Sequence, residues 1–250
     1  MMESVESSFY VFKDVIDKRL PRPPRTIIEV GARNCSETLA FHECYPDAKI
    51  YSFECNPTTL PLCRAAVQGI PQIELIEKAV CLTNDKVTFY PIDKDKTVTT
   101  HEDGNPGASS LFKASGKYPH EKYAQLEISV DGIRLDSLVE TKKIEEIDIL
   151  WMDIQGGELM ALKSLGRHID KVKFVHTEVE FLDIYENQPL FPDIRKYLEG
   201  EGFYFCGFTY KGDYFANALF LNKKLVTFLD KIKVFFNRFI DRSAADAPSR

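Results

Sequence analysis

The sequence predicts an α/β fold with a mostly parallel central sheet and an antiparallel hairpin at the C-terminal end. The first observation is that apolar segments typical of strands alternate with helix-like segments through the first 80 residues. The second is that two aromatic-rich segments flank a Lys-Gly-Asp turn at 211–213, as in a hairpin. Alternating strands and helices favour a parallel sheet with right-handed crossovers. The 250 residues suffice for one such domain.

The individual elements are predicted from periodicity and from the residues that end each one. Apolar residues at helical spacing predict an amphipathic helix at 8–20, which the following prolines end. Core strands are predicted from residue 26 and at 49–53, 73–80, 147–153 and 172–179, with further strands at 87–92 and 126–130. Helices are predicted at 36–44, 56–69, 135–139, 158–165 and 191–198, and the hairpin strands at 203–208 and 215–221.

One domain is predicted over 1–222, with an irregular insert at 93–125. The insert is rich in Lys, Asp, Gly, Ser and Thr and shows no periodicity, so we expect a flexible lid or substrate loop. Residues 223–250 are predicted to form a basic amphipathic helix with a tail. Such a helix can pack on its own domain, form a homodimer or lie on an anionic membrane surface. We favour packing on the same chain or on a second copy.

Charge and cysteine content disfavour several classes of protein. The net charge of −6 disfavours a broad nucleic-acid-binding surface, which needs clustered Lys and Arg. The six cysteines form no Cys-x-x-Cys pair, so we expect free thiols and no zinc site. The chain shows neither a signal-peptide pattern nor an apolar run long enough to span a membrane. We therefore expect a reduced cytoplasmic protein.

Two acidic residues follow the first two strands at the spacing of a nucleoside site. The first strand carries Glu29 and runs into Gly31, and the second strand ends in Glu54. In a parallel sheet, an acid at the end of the second strand accepts hydrogen bonds from ribose hydroxyls, and a glycine lets the backbone approach the ligand. The pattern therefore predicts a cofactor that contains a nucleoside.

The residues after Gly31 narrow the kind of cofactor. No further glycine follows in this turn, and no Gly-Lys-Ser/Thr phosphate loop occurs in the chain. Glu29 would repel a phosphate but suits a cationic amino-acid group. S-adenosylmethionine combines a ribose, an amino acid and a sulfonium, so it is the predicted cofactor. A dinucleotide-dependent oxidoreductase is disfavoured by the missing glycines.

Five short motifs carry a resemblance to a known family. They are Gly31–Ala32 after the acidic strand, Ser52–Pro57, Lys78–Val80, Arg134–Leu138 and Ile149–Glu158. Over roughly 26–221, together they resemble the FkbM-type S-adenosylmethionine-dependent methyltransferases, which methylate hydroxyl groups of sugars and natural products. The Asp-x-Gln-Gly-x-Glu element that ends the last motif is the most specific. The family usually has Asn at the position of Arg33 and Gly at that of Cys35.

The resemblance implies a Rossmann-like class I methyltransferase fold and O-methylation of a carbohydrate, glycan or natural-product-like metabolite. Glu54 is predicted to bind the ribose and Ala79 to present backbone groups to the adenine, while serines of the insert close over the cofactor. The predicted cofactor site comprises Glu29, Gly31, Ala32, Asn34, Glu54, Asn56, Lys78, Ala79, Ser110 and Asp153.

Ionisable residues at the fourth and fifth core strands are candidate catalytic groups. Asp153 directly follows four apolar residues, where an unpaired carboxylate is costly. His176, Glu178 and Glu180 alternate along one strand face, which predicts a face that opens into the substrate cleft or is solvated. We predict Asp153, His176 or Glu178 as the general base, with a core histidine as the alternative for His176. Glu158 is predicted to cap its helix.

Three alternatives stay open. The fold could serve a non-catalytic scaffold that binds S-adenosylmethionine or a nucleotide. The acceptor could instead be a protein or a lipid-linked glycan, because acceptor pockets lie on the least patterned segments. A divalent metal on Asp153 with Glu178 or Glu180 ranks below a metal-free mechanism, and no metal site is predicted.

Overall fold

The computed structural model describes residues 2–225, with side chains from residue 8 onward. Its strands are β1 Thr26–Val30, β2 Lys49–Phe53, β3 Ile73–Ile76, β4 Ala79–Val80, β5 Lys86–Phe89, β6 Ile128–Ile133, β7 Ile147–Met152, β8 Val172–Glu180, β9 Phe203–Lys211 and β10 Phe215–Asn222. Its helices are α1 Met2–Arg19, α2 Ser36–Cys44, α3 Leu60–Val67, α4 Leu135–Thr141, α5 Glu158–Ser164 and α6 Phe191–Gly200.

Seven strands form one central sheet in the order β3-β2-β1-β7-β8-β10-β9. The first five are parallel, whereas β10 runs antiparallel to both β8 and β9. This confirms the predicted α/β class, a Rossmann-like class I sheet closed by a C-terminal hairpin. From β1 the chain continues through β2 to β3 at one edge of the sheet, and it later returns to the other side of β1 as β7. The carboxyl ends of β1 and β7 are therefore the switch point at which such sheets bind ligands.

Helices cover both faces of the central sheet. On one face α4, α5 and α6 pack through Leu138, Leu162 and Leu198, and on the other face α1 and α2 pack through Phe12 and Phe41. Each of these side chains is at most 3% exposed. Burying one side chain of this size contributes roughly 1.5–3 kcal/mol. The two apolar layers thus hold the sheet whose carboxyl end carries the site.

The predicted strand at 73–80 is wrong in one respect, because the structure divides it into β3 and β4. The chain turns between them where the Lys78 N–H donates to the Ile76 carbonyl oxygen at 2.9 Å. β4 then pairs with β6 in a small three-stranded sheet, β4-β6-β5, instead of extending β3. As a result, Lys78 and Ala79 lie near the carboxyl end of β2 and line the cavity described below.

Other predicted boundaries also shift, among them the end of the strand predicted at 87–92, which is Phe89. The helix predicted from residue 56 begins at Leu60, because the Asn56 side chain accepts the Thr58 N–H and holds the intervening residues in a turn. The first helix spans Met2–Arg19 rather than 8–20, and the strand predicted at 126–130 spans Ile128–Ile133. None of these shifts changes the order of the elements.

The insert at 93–125 folds back on itself beside the small sheet. Isolated bridges join Ile92 to Gln125 and Val98 to Lys122 across the base of the insert. A further bridge from Tyr90 to Ser110 ties its middle to the segment after β5. The insert thus has a defined path over the sheet, and its flexibility stays a prediction.

The predicted basic helix at 223–250 lies outside the described residues, apart from a 3-10 turn at Lys223–Leu225. Its packing, dimerisation or membrane contact therefore stays a prediction, as does the domain boundary at 222. Within 2–225, no helix combines the length and the apolar character that crossing a membrane requires.

A buried carboxylate holds the amino end of the sheet, opposite the switch point. Asp148 is fully buried, and its Oδ2 accepts the N–H groups of Arg25 at 2.7 Å and Thr26 at 3.2 Å. Its Oδ1 accepts a hydrogen bond from the Lys173 ammonium at 2.8 Å. Burial favours the neutral acid, but Lys173 and the two N–H groups hold the pKa of Asp148 below its ordinary value. This charge therefore links β1, β7 and β8.

We expect Asp148→Ala to lower the free energy of unfolding by about 3–5 kcal/mol, because it removes the buried acceptor of two N–H groups and of the partly buried Lys173 ammonium, which keeps only Glu146. Urea denaturation at pH 7 measures the loss. Glu146→Ala is the matched control. Glu146 pairs with Lys173 and Arg22, which also pair with Asp148, but it lies at the surface, where its side chain is 45% exposed. This control should cost less than about 1 kcal/mol. Equal losses in the two variants would contradict the assignment.

Candidate functional site

A cavity of about 570 Å³, open to solvent, lies at the carboxyl ends of β1, β2 and β7. The insert covers part of it through residues 106–111. Its lining residues are Val30, Gly31, Arg33, Phe53, Glu54, Cys55, Asn56, Thr59, Lys78, Ala79, Val80, Phe89, Pro106, Gly107, Ser109, Leu111, Asp153 and Ile154. The cavity therefore occupies the switch point of the sheet, where the sequence predicts the cofactor.

Gly31 forms the floor of the cavity in a conformation that requires glycine. Its φ is +92°, and a Cβ on Gly31 would lie 1.9 Å from the carbonyl oxygen of Asp153. Its N–H and that of Ala32 both donate to the Phe53 carbonyl oxygen, at 3.0 and 2.9 Å. The turn after β1 is thereby fixed against the ends of both neighbouring strands.

Glu54 points its carboxylate at the cavity and is held by the backbone. Oε2 accepts the Arg33 N–H at 2.8 Å, and Oε1 accepts the N–H groups of Cys55 at 2.7 Å and Asn56 at 2.6 Å. Burial raises the pKa of Glu54, and these N–H groups oppose the rise. Because Oε2 accepts only one of the three bonds, it retains acceptor capacity for a ligand hydroxyl.

The structure places Glu29 behind the turn instead of in the cavity. Glu29 is 1% exposed and accepts hydrogen bonds from the Thr38 hydroxyl and, at 2.8 Å, from the Ser52 hydroxyl. Burial raises the pKa of Glu29 to about 8. The side chain is therefore mostly a neutral acid at pH 7 that joins β1, β2 and α2. A direct contact with a cationic group of the cofactor is not available to it.

The other predicted cofactor residues divide into two groups. Asn56, Lys78 and Ala79 line the cavity together with Gly31, Glu54 and Asp153. Ala32, Asn34 and Ser110 do not line it. Ala32 packs on two cysteines, and the Asn34 side chain accepts hydrogen bonds from Ser36. The Ser110 hydroxyl donates to the Gln155 carbonyl oxygen at 2.7 Å, which ties the insert to the loop after β7.

Gln155 joins the cavity to the end of β8. Its Nε2 donates to Asp153 Oδ1 at 2.7 Å and to Glu178 Oε1 at 2.8 Å. Its Oε1 lies 2.9 Å from the Tyr185 hydroxyl, which also lies 2.8 Å from the Ala108 carbonyl oxygen of the insert. Gln155 has φ +54°, a conformation that non-glycine residues seldom adopt outside constrained sites. The bridge keeps two carboxylates side by side at the cavity rim.

Four acids form what we call the carboxylate cluster: Asp153, Glu158, Glu178 and Glu180. Burial raises the pKa of Glu178 and of Glu180 well above the ordinary value, and the neighbouring carboxylates add to both shifts. Burial also raises the pKa of Glu158 to about 7, while its Oε1 accepts the Ile154 N–H at 2.9 Å. That bond holds the loop before α5, and the capping role of Glu158 stays a prediction. Within 2–225, no group of three or more His, Cys, Asp or Glu residues is placed to hold a metal ion.

His176 lies in the core, away from the cavity, although it shares a strand face with Glu178. It is 1% exposed and stacks on Trp151 with ring centroids 3.7 Å apart. Its Nε2 lies 2.8 Å from the Thr209 hydroxyl, and Phe12 of α1 covers it. Burial lowers the pKa of His176 to about 3. A neutral, covered imidazole here cannot reach a substrate, so the structure leaves Asp153 and Glu178 as candidate bases.

Several residues of the site escape the sequence patterns. Arg33 and Phe89 line the cavity, and Tyr185 completes the Gln155 bridge. Arg33 follows Gly31 in the turn, which is a usable signal. Ser109, which also lines the cavity, is one of the insert serines that the sequence predicts over the cofactor. The sequence around Phe89 indicates only a strand, and Tyr185 lies in an irregular loop that has no hydrophobic periodicity. For those two residues, no local signal exists.

Comparison with known proteins gives one family match. The model of the methyltransferase FkbM domain matches residues 29–208. The 2-O-methyltransferase NoeI of Sinorhizobium fredii (strain NBRC 101917 / NGR234) is 25% identical over 184 residues, which cover 73% of this chain and 74% of that protein.

Solved methyltransferases are similar only distantly. Precorrin-6y C5,15-methyltransferase of Geobacter metallireducens GS-15 has a TM-score of 0.42 at 12% identity and covers 82% of this chain and 84% of its own. Ribosomal protein L11 methylase of Lactobacillus delbrueckii subsp. bulgaricus has a TM-score of 0.46 at 14% identity, with coverages of 87% and 77%. The family assignment rests on the family match.

Gly31→Ala tests the contact at the cavity floor. We expect it to weaken the binding of S-adenosylhomocysteine by about tenfold or more, because the Cβ displaces the Asp153 backbone. Isothermal titration calorimetry measures the affinity, and circular dichroism checks the fold. The control is Gly69→Ala, at φ +81° with nothing within 4 Å of its Cβ. It should cost about 1–2 kcal/mol of stability and leave binding unchanged.

The pKa of Glu29 predicts a pH dependence of stability. Between its ordinary value of 4.5 and about 8, the folded state keeps a proton that the unfolded state loses. Stability should therefore fall as pH rises through this window, and Glu29→Gln should flatten that slope while retaining wild-type stability near pH 5. Urea denaturation across the window measures both. Glu43→Gln, an exposed change on the same helix α2, should keep the wild-type slope. An unchanged slope in Glu29→Gln would contradict a neutral Glu29.

Proposed function

The chain belongs to the FkbM methyltransferase family, and on this premise we propose that it methylates a hydroxyl group of a carbohydrate, glycan or natural-product-like metabolite. As a family member it is a methyltransferase that depends on S-adenosylmethionine. The proposed acceptor is supported by NoeI, which is named as a 2-O-methyltransferase. It is also supported by carboxylates at the cavity rim, because a hydroxyl acceptor must lose its proton.

The cavity residues suit S-adenosylmethionine. The free acceptor capacity of Glu54 Oε2 suits a ribose hydroxyl, and the apolar side chains of Val80 and Phe89 suit the adenine ring. Gly31 lets the backbone approach the cofactor closely. When bound, the cofactor supplies a methyl group on a sulfonium that is already activated toward transfer.

The Gln155 bridge is the observation that carries the proposed chemistry. It holds Asp153 in the cavity and Glu178 just outside it, with one amide nitrogen within 2.8 Å of both carboxylates. Either carboxylate can take the hydroxyl proton as the acceptor oxygen attacks the methyl carbon. Burial raises the pKa of both carboxylates, so the ionised form of each is a stronger base than an ordinary carboxylate. The remaining task of the chain is to align the hydroxyl and exclude water.

Two experiments separate this proposal from its alternatives. Calorimetry should give binding of S-adenosylhomocysteine but not of NAD, and Glu54→Ala should weaken that binding through loss of the ribose contact. Transfer of labelled methyl from S-adenosylmethionine to cell extracts, followed by fractionation, should place the label on glycans or small metabolites. Binding without turnover on any acceptor favours the scaffold, and label on protein or lipid favours those acceptors. Label only in RNA or DNA would refute the proposal.

Conservative substitutions test the base. We expect Asp153→Asn or Glu178→Gln to lower kcat by ~10²–10⁴-fold, because the proton leaves only in the chemical step. The variant that removes the base should bind S-adenosylhomocysteine with the wild-type affinity. The matched control is Glu127→Gln, whose carboxylate is 64% exposed, and it should keep full activity. If Asp153→Asn instead abolishes cofactor binding in a folded protein, Asp153 is a cofactor ligand and Glu178 is the base.

A further inference from the structure

Five aromatic side chains form a second group next to the carboxylate cluster, outside the cofactor cavity. We call them the aromatic cluster: Tyr118, His120, Tyr123, Tyr185 and Tyr214. Tyr118 makes edge contacts with His120 at 5.5 Å and with Tyr214 at 5.9 Å between ring centroids. Tyr123 lies 6.0 Å from Tyr118 and stacks on Tyr185 at 6.2 Å. The insert, the loop after β8 and the β9–β10 hairpin all contribute to it.

Most rings of the aromatic cluster remain within reach of solvent. Tyr118, Tyr123 and Tyr214 are half-buried and His120 is exposed, whereas Tyr185 is fully buried beneath Tyr123. An ordinary apolar core would bury these rings, and half-buried aromatic groups with polar edges are typical of ligand sites. The cluster thus offers ring faces at the surface rather than in the interior.

The aromatic cluster is connected to the cofactor cavity through one hydrogen-bonded chain. The buried Tyr185 hydroxyl lies 2.9 Å from Gln155 Oε1, and Gln155 Nε2 donates to Asp153 in the cavity. Neighbouring carboxylates, including Glu178, add to the burial that raises the pKa of Tyr185 well above its ordinary value, so it remains a hydroxyl. A ring-sized ligand on the cluster would therefore lie beside the two candidate bases.

Buried polar atoms near this chain lack partners. Both carboxylate oxygens of Glu180, Oε2 of Glu158 and Nε2 of Gln188 are buried and make no hydrogen bond within the described residues. The Gln188 side chain packs against Gly156, directly after Gln155. Among the described residues, no Lys or Arg forms an ion pair with any member of the carboxylate cluster. The three carboxylate oxygens are unpaired acceptors, which call for hydroxyl donors from a ligand or for protonation, whereas Gln188 Nε2 is an unpaired donor.

We propose that the aromatic cluster and Glu178 form the acceptor subsite, and that the ligand is a hydroxyl-rich sugar ring. This inference rests on the proposed function and adds the place and the mode of acceptor binding. Apolar C–H groups of the sugar pack into the corner between the rings of Tyr118 and Tyr214, which stand at 87° to each other, and its hydroxyls donate to Glu178. The hydroxyl nearest Asp153 passes its proton to the carboxylate of Asp153 or Glu178 as its oxygen bonds to the methyl carbon. The methyl–sulfur bond breaks and its electron pair stays on sulfur, which leaves S-adenosylhomocysteine.

The test removes aromatic rings of the proposed subsite and leaves the residues that line the cofactor cavity unchanged. The probes are methyl glycosides of hexoses, deoxyhexoses and N-acetylhexosamines, and the best acceptor among them is used for kinetics. Tyr118→Ala and Tyr214→Ala should each raise the acceptor KM by about tenfold, through loss of aromatic packing. The affinity for S-adenosylhomocysteine should stay unchanged in both. Tyr118→Phe and Tyr214→Phe keep the ring and should keep the KM within about twofold.

Tyr10→Ala is the matched control, because Tyr10 is 58% exposed on α1 and belongs to neither cluster. It should leave the acceptor KM unchanged. Saturation-transfer NMR on the protein loaded with S-adenosylhomocysteine gives a readout without turnover, and the sugar C–H signals should weaken in both Ala variants. An unchanged KM in Tyr118→Ala and Tyr214→Ala, with sugars still methylated, would overturn the subsite alone. If the wild type binds S-adenosylhomocysteine yet methylates no glycoside, the proposed function fails instead.

Discussion

The contact between Gly31 and the Asp153 backbone is the constraint on which the rest of the site depends. Asp153 N–H donates to the Val30 carbonyl oxygen at 2.9 Å, and Gly31 lies against the Asp153 carbonyl with no room for a side chain. The same turn is bonded to the end of β2 through Phe53. Three strand ends are thus locked together at one point, and the cavity opens directly above them. Every polar group of the site is placed relative to this junction.

Depth in the protein divides the acids of the site into distinct physical states. Glu29, behind the junction, is a mostly neutral acid that holds three elements together. Glu54, at the cavity wall, has its charge stabilised by backbone N–H groups. Asp153 and Glu178, at the rim, share one amide donor and form no ion pair within the described residues. Carboxylic acids therefore serve structure, ligand binding and chemistry in this protein. The burial of each acid and the hydrogen-bond donors around it decide which role it takes.

The sequence predicts the sheet and its carboxyl edge well because both follow from short-range periodicity. Gly31, Glu54 and Asp153 could be assigned because each directly follows an apolar strand. Periodicity predicts which face of a strand carries a side chain, but not which element covers that face. The sequence therefore could not distinguish His176, which α1 covers, from Glu178. The aromatic cluster could not be predicted at all, because most of its rings lie in loops and an aperiodic insert that only the folded chain brings together.

The stack of Trp151 on His176 has a consequence for how the protein is observed. Trp151 is the only tryptophan of the chain and lies between the sheet and α1, where Phe9 and Phe12 pack against it. Its ultraviolet emission therefore reports on the packing of this face of the sheet, which α1 and Phe41 of α2 cover. Detachment of α1 would hydrate the indole and move the emission to longer wavelength even while the opposite face of the sheet stays intact. Trp151 is therefore an intrinsic fluorescent probe for the packing of helices on this face of the sheet.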